Sequence, residues 1–221
     1  LSGLTTFVSQ YFGAGRHSEC GRMLFHVQLL AFVFGILTMF ALTPFSHWLL
    51  VVMNVNPEIL EDTFDYMRVR LLGAPIWMVS FALISFLRGI GNMKATAVVS
   101  SATVLANIPL TYLFTFGLGP IPAYGVAGAA IGTVLSQFLE LLCYVAVVYG
   151  RRNAEKYSTR YMALPEAAFY RMYLKVALPI GVSWMLEHVG WAVFGLYIGS
   201  LDKEAAAAHA IMNVFMNFSF M

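Results

Sequence analysis

The chain has 221 residues, of which 60% are hydrophobic and 11% are charged, and its mean hydropathy is +0.75. Soluble domains carry roughly 25% charged residues, so this composition excludes a soluble globular protein. The net charge of +2 indicates little by itself, and no nucleic-acid partner is expected.

Long uncharged stretches predict membrane-spanning helices. Residues 23–57, 71–87 and 95–139 carry no Asp, Glu, Lys or Arg, and a hydrocarbon layer of about 30 Å needs about 20 helical residues. We therefore predict an all-α, polytopic bundle in the inner (plasma) membrane. The predicted complete spans are 24–50, 69–88, 94–116, 125–149 and 173–200, with partial spans at 1–14 and 204–221. Both ends of the chain resemble the interior of a helix, which predicts a longer protein.

The basic residues alternate between successive connectors. Ten lie in the connectors at 15–22, 89–93 and 150–168 or beside them, whereas the connectors at 54–66, 117–124 and 200–204 contain only Lys203. The first group of connectors is predicted to be cytoplasmic, because cytoplasmic loops are enriched in Lys and Arg. The connector at 54–66 instead carries four acids.

The span at 94–116 has polar residues on one helical face. This polar stripe consists of Thr96, Ser100, Thr103, Asn107 and Thr111. In a membrane such a face should line a watery cavity or pack against another helix. We expect the cavity, because the Asn107 amide is harder to satisfy within its own helix than a hydroxyl is.

The next span opens with Gly128 and Gly132, a GxxxG spacing that predicts close packing of two helices. Gln137 and Glu140 interrupt its apolar run. We expect Glu140 to reach the cytoplasmic surface or to pair with a basic residue, rather than to act in transport.

Glu187 lies within the last complete span, where a charged side chain costs about 2.5–3.5 kcal/mol at the membrane centre. Trp184 and Trp191 lie at i−3 and i+4, on its face of the helix. A buried carboxylate beside indole rings predicts a site for a lipophilic cation, and such a carboxylate can also hold a proton. The alternative is a structural hydrogen bond or salt bridge.

An intramembrane enzyme is a further alternative, because His209 and Asn213 form an HxxxN spacing. The sequence contains no paired-glutamate or HExxH motif, so we do not expect an enzyme.

Four segments together resemble the multidrug and toxic compound extrusion (MATE) family. They are VSQYFGAGR at 8–16, LRGIGNMKA at 87–95, FGLGPIPAYGVAGAAIGTVLSQ at 116–137 and LKVALPIGVSWMLE at 174–187. The resemblance implies a transporter of twelve helices in two lobes, with this chain running from within helix 2 to within helix 8. Residues 1–149 would then be the N-lobe without helix 1, residues 150–168 a cytoplasmic inter-lobe linker, and residues 169–221 the start of the C-lobe.

The resemblance also implies an antiporter that exports small organic cations by alternating access, driven by sodium or protons. It implies no cofactor, and the missing C-terminal lobe and the lipid bilayer are the expected partners. In one bacterial branch of the family a helix 7 glutamate after a Leu-Pro pair is part of the cation site, and Leu178-Pro179 followed by Glu187 matches that spacing. Another branch uses an Asn and Asp pair four residues apart; here the pair is Asn107 and Thr111, so the acid is missing.

The predicted coupling and substrate residues are therefore Glu187, Asn107, Thr111, Thr103, Trp184 and Trp191, with a sodium site expected at Glu187. A lipid-intermediate flippase of the same superfamily is the alternative. Its cavity would be lined by several arginines, for which Arg68 and Arg70 are the main candidates in the spans.

Overall fold

A computed structural model describes residues 1–52, 57–162, 165–201, 209 and 211–213. These residues form eight helices, which confirms the predicted all-α class. The helices are α1 (Gly3–Gly13), α2 (His17–Val52), α3 (Pro57–Leu72), α4 (Ala74–Gly89), α5 (Met93–Phe116), α6 (Gly125–Val148), α7 (Arg151–Tyr157) and α8 (Ala167–Leu201).

The chain divides into two compact units, Leu1–Tyr173 and Leu174–Met221. The boundary falls inside α8, and the second unit begins five residues after the predicted start of the second lobe at residue 169. The assignment of these units to transporter lobes stays a prediction.

Four helices within the described residues are long and apolar enough to cross a membrane: α2, α5, α6 and the stretch Ala167–Gly195 of α8. A bent pair, Ile59–Leu72 with Ala74–Gly89, makes a fifth if it counts as one span. With that pair counted as one span, the described residues contain the five complete spans that the sequence predicted. The predicted partial span at 204–221 lies almost entirely outside the described residues.

The prediction of a connector at 54–66 is wrong in extent, because α3 begins at Pro57. Proline fits the first turn of a helix, because its missing N–H has no partner there in any case. Glu61, Asp62 and Asp65 are exposed on α3. Their charge lowers the hydropathy of the segment without preventing a helix. α3 and α4 meet at Gly73 with a bend of 48°.

The first turns of α2 and α8 were also missed, because polar residues precede each apolar run. α2 begins at His17 rather than 24, and α8 begins at Ala167 rather than 173. Glu166, just before α8, accepts a hydrogen bond from Arg22 of α2 at 2.5 Å. The predicted linker at 150–168 contains the short helix α7.

The core of the first unit lies where α1, α2 and α4 meet. Its fully buried apolar side chains are Leu4 and Val8 of α1, Leu24 and Val27 of α2, and Leu83, Phe86 and Leu87 of α4. These side chains recur three or four residues apart, so each helix buries one face. The core holds α4 in place, and α4 also packs against α6.

α5 and α6 form an extensive helix pair, and two glycines allow their close approach. A Cβ atom at Gly132 would lie 2.6 Å from Thr111 Cα, and one at Gly128 would overlap the carbonyl oxygen of Phe114. The packing predicted from the GxxxG spacing is therefore confirmed.

Candidate functional site

The polar stripe of α5 faces α6. The Asn107 amide donates a hydrogen bond to Ser136 Oγ at 2.9 Å, and Thr111 packs its backbone against Gly132. Thr103 Oγ1 donates instead to the Val99 carbonyl of its own helix at 2.9 Å. The stripe thus forms much of a helix–helix interface within the first unit, which is the packing alternative that the sequence left open.

Thr111 is the member of the stripe whose hydroxyl lacks a hydrogen-bond partner among the described residues. Its Oγ1 is buried and has no hydrogen-bond partner among the described residues, and the same holds for Thr115 one turn later. A buried hydroxyl that lacks a partner costs about 1–3 kcal/mol.

Glu140 lies in the part of the α5–α6 interface that is nearest α7. Ser100 Oγ donates to Glu140 Oε1 at 3.5 Å and lies 2.9 Å from the Tyr144 hydroxyl. The Tyr144 hydroxyl in turn donates to the Thr96 carbonyl at 3.4 Å, and Tyr144 is fully buried. The expected ion pair between Glu140 and a basic residue is not present in the parts of the chain that the structure describes.

A second polar contact joins α6 to α3. Arg70 Nη1 donates to Gln137 Oε1 at 3.1 Å, and both side chains are half-buried. Arg68, by contrast, is exposed. The flippase alternative therefore gains no support from these two arginines, which form no shared site in the described part of the first unit.

Glu187 and its two tryptophans lie on α8 in the second unit. All three side chains are exposed there; Trp184 is 57% and Trp191 43% exposed. The buried environment predicted for Glu187 is therefore not found in this unit, whose described residues comprise little more than one helix. His188 Nδ1 lies 2.8 Å from the Trp184 carbonyl, which satisfies this ring on its own helix.

The described residues contain no group of three His, Cys, Asp or Glu side chains arranged to hold a metal. The sodium site at Glu187 consequently stays a prediction. His209 and Asn213, the HxxxN pair, lie 3.0 Å apart through Nε2 and Nδ2, with His209 also against the Phe194 ring.

An apolar cavity of about 620 Å³ lies in the first unit between α2, α4 and the segment after α7. Phe25, Leu29 and Phe32 form one wall, and Gln28 lies beside Tyr149, whose hydroxyl donates to the Gln28 side chain. The predicted site residues do not line this cavity.

Comparison with known proteins identifies the family. The family model described as MatE matches residues 1–113, which is half of the chain. The chain belongs to this family. It is a multi-pass membrane protein of a transporter family, not an enzyme.

The relatives match the chain along its whole length. The probable multidrug resistance protein NorM of Xylella fastidiosa is 29% identical over 222 residues, which cover all of this chain and 47% of the relative. The multidrug resistance protein PmpM of Pseudomonas aeruginosa is 29% identical over 224 residues, covering all of this chain and 46% of the relative. The chain therefore spans about half the length of the curated relatives it matches.

Solved structures share the fold. A crystal structure of a MATE protein in the bent conformation superposes with a TM-score of 0.79 at 24% identity, covering 93% of this chain and 45% of the other. A MOP superfamily transporter from Pyrococcus furiosus also gives a TM-score of 0.79, at 22% identity, covering 97% of this chain and 48% of the other.

The sequence interpretation missed the polar face of α6. Ser136, Glu140 and Tyr144 follow one another at intervals of four residues, so they share one face of the helix. This spacing matches the polar stripe on α5 and could have predicted that the two faces meet.

Proposed function

We propose that the full-length protein is a multidrug exporter that expels small organic cations, driven by a sodium or proton gradient. The observation that carries this proposal is the match to NorM and PmpM, whose names state multidrug resistance, over the entire chain. The shared fold supports it. Since the chain spans half of these relatives, a second lobe would complete the transporter.

Alternating access is the mechanism that suits such a two-lobed protein. Two helical lobes rock about a substrate site between them, which opens in turn to each side of the membrane. Residues 1–149 would belong to the first lobe, residues 150–168 to the linker and residues 169–221 to the second lobe.

Glu187 is the proposed coupling residue. Its carboxylate is on an apolar span, and the flanking Trp184 and Trp191 offer aromatic faces that attract a cation. Within the described residues the carboxylate forms no ion pair, so its charge is available to sodium, a proton or the exported cation. Competition for one carboxylate would link ion entry to drug release.

The polar stripe is the proposed contribution of the first lobe to substrate binding. Asn107, Thr103 and Thr111 lie on one face of an apolar span, which supports a role for this face in binding. An amide and hydroxyls would contact a substrate by hydrogen bonds rather than by charge.

Export of a fluorescent organic cation, driven by a sodium or a pH gradient imposed separately, tests the proposal. Glu187→Gln should fold, because the amide retains the shape and removes a charge that is costly in a membrane. Its gradient-driven export should fall at least about tenfold, which corresponds to about 1.4 kcal/mol of coupling. Glu187→Asp should retain part of the activity.

Glu155→Gln is the matched control, because it makes the same chemical change on the exposed surface of α7. It should export at the wild-type rate. Wild-type export by Glu187→Gln, with unchanged sodium and pH dependence, would show that the carboxylate is structural. Absence of export by the wild-type protein under both gradients would refute the proposed function itself.

A further inference from the structure

Glu140 is an acidic side chain inside a span that the proposed mechanism does not use. Eight residues of α6 follow it, which places it about 12 Å from the end of the helix. Its residue is half-buried against α5, and Ser100 is its hydrogen-bond donor. A carboxylate at this depth in the membrane is costly unless it is paired. An unpaired acid at this position is therefore expected to have a function.

The charged groups around Glu140 do not neutralise it. The titratable and charged side chains described on the elements packed against α6, and on α6 itself, are Glu61, Asp62, Asp65, Tyr66, Arg68 and Arg70 of α3, Arg88 of α4, Lys94 and Tyr112 of α5, Cys143 and Tyr144 of α6, and Arg151, Arg152, Glu155, Lys156 and Tyr157 of α7. Arg70 bonds to Gln137 and Arg151 pairs with Glu155. Within the described structure none of these cations lies within 4.0 Å of the Glu140 carboxylate.

The hydrogen bonds beside Glu140 form a short chain that can run in either direction. Glu140, the Ser100 hydroxyl, the Tyr144 hydroxyl and the Thr96 carbonyl follow one another at 3.5, 2.9 and 3.4 Å. When Glu140 is ionised, Tyr144 donates to Ser100 and Ser100 donates to the carboxylate. When Glu140 is protonated, it donates to Ser100, Ser100 donates to Tyr144, and Tyr144 donates to the Thr96 carbonyl.

Rotation of two hydroxyl groups therefore switches the chain between its two directions, one for each protonation state. A hydroxyl both donates and accepts, whereas an ammonium or guanidinium only donates, so a salt bridge would stabilise the ionised state alone. The terminal acceptor matters as well, because a backbone carbonyl accepts the last proton in the protonated state. An arrangement of this kind suits a group that changes its charge.

We propose that Glu140 is a reversible proton-binding site within the first unit. It takes a proton from hydronium, leaving water, and the Ser100–Tyr144 chain reverses its direction as the proton binds. The use of this proton in transport rests on the proposed function, but proton binding itself does not.

Infrared difference spectroscopy of the purified full-length protein, between about pH 5 and pH 9, tests the proposal. The wild type should show a protonated-carboxyl stretching band that appears as the pH falls. Glu140→Gln should lose this band, and Glu155→Gln, which alters an exposed carboxylate, should retain it. A Glu140 band that does not change with pH, or the same band in Glu140→Gln, would overturn the proposal.

Ser100→Ala provides a second measurement that does not depend on the folding of Glu140→Gln. Loss of the acceptor for the acid proton should move the band to higher wavenumber, since a less hydrogen-bonded acid has a stiffer carbonyl. An unmoved band would show that the chain does not engage the acid. Because no drug is transported in these experiments, their outcome is independent of the export assay.

Discussion

Replacement of Gly132 by alanine should weaken the contact between α5 and α6. The new Cβ would lie 2.6 Å from Thr111 Cα and 2.7 Å from Thr111 N, whereas carbon atoms pack at about 3.5–4.0 Å. Both neighbours are backbone atoms that cannot rotate away, so the helices must separate by about 1 Å. Such overpacking costs about 1–3 kcal/mol.

Two further effects change the expected destabilisation by Gly132→Ala. Separation would stretch the 2.9 Å bond between Asn107 and Ser136, at a cost of about 1 kcal/mol. Alanine favours a helix over glycine by about 1 kcal/mol, which offsets that loss. The expected net destabilisation is therefore about 1–3 kcal/mol.

Unfolding of the purified full-length protein by SDS in mixed micelles measures this free energy. Gly13→Ala is the matched control, because it lies in a helix of the same unit with no atom within 4 Å of its new Cβ. It should change stability by less than about 1 kcal/mol, in the stabilising direction. Wild-type stability of Gly132→Ala would refute the close packing of these two helices.

Two further predictions concern orientation and the polar stripe. A single cysteine at Glu61 should react with an impermeant reagent added from outside and one at Lys156 should not, since basic connectors face the cytoplasm; the reverse pattern would overturn the orientation. Asn107→Leu should impair export with little loss of protein in the membrane, because one lost hydrogen bond costs only about 1 kcal/mol. Ser136→Ala removes the same bond and leaves the amide in place, so equal effects of the two variants would assign the loss to packing.

Much of the fold could be predicted because membrane helices must satisfy their backbone internally, which makes hydropathy a direct guide to spans. The uncharged runs predicted α5 and α6 closely and α2 except for its first turns, and the spacing of Gly128 and Gly132 predicted a close helix pair. The prediction for 54–66 was wrong because hydropathy describes burial in lipid, while α3 begins at Pro57 and carries exposed acids that do not prevent a helix.

The amino-acid sequence by itself determined that the protein is helical, spans the membrane and resembles the MATE family, because composition and local spacing carry that information. It also placed the polar residues on particular helix faces. Only the tertiary structure decided what those faces meet: the stripe of α5 contacts Ser136 and Tyr144 of α6, and Glu140 finds a hydroxyl rather than a cation. The reason is that the rotation and register of one helix against another depend on the packing of all their side chains, which periodicity along a single helix cannot specify.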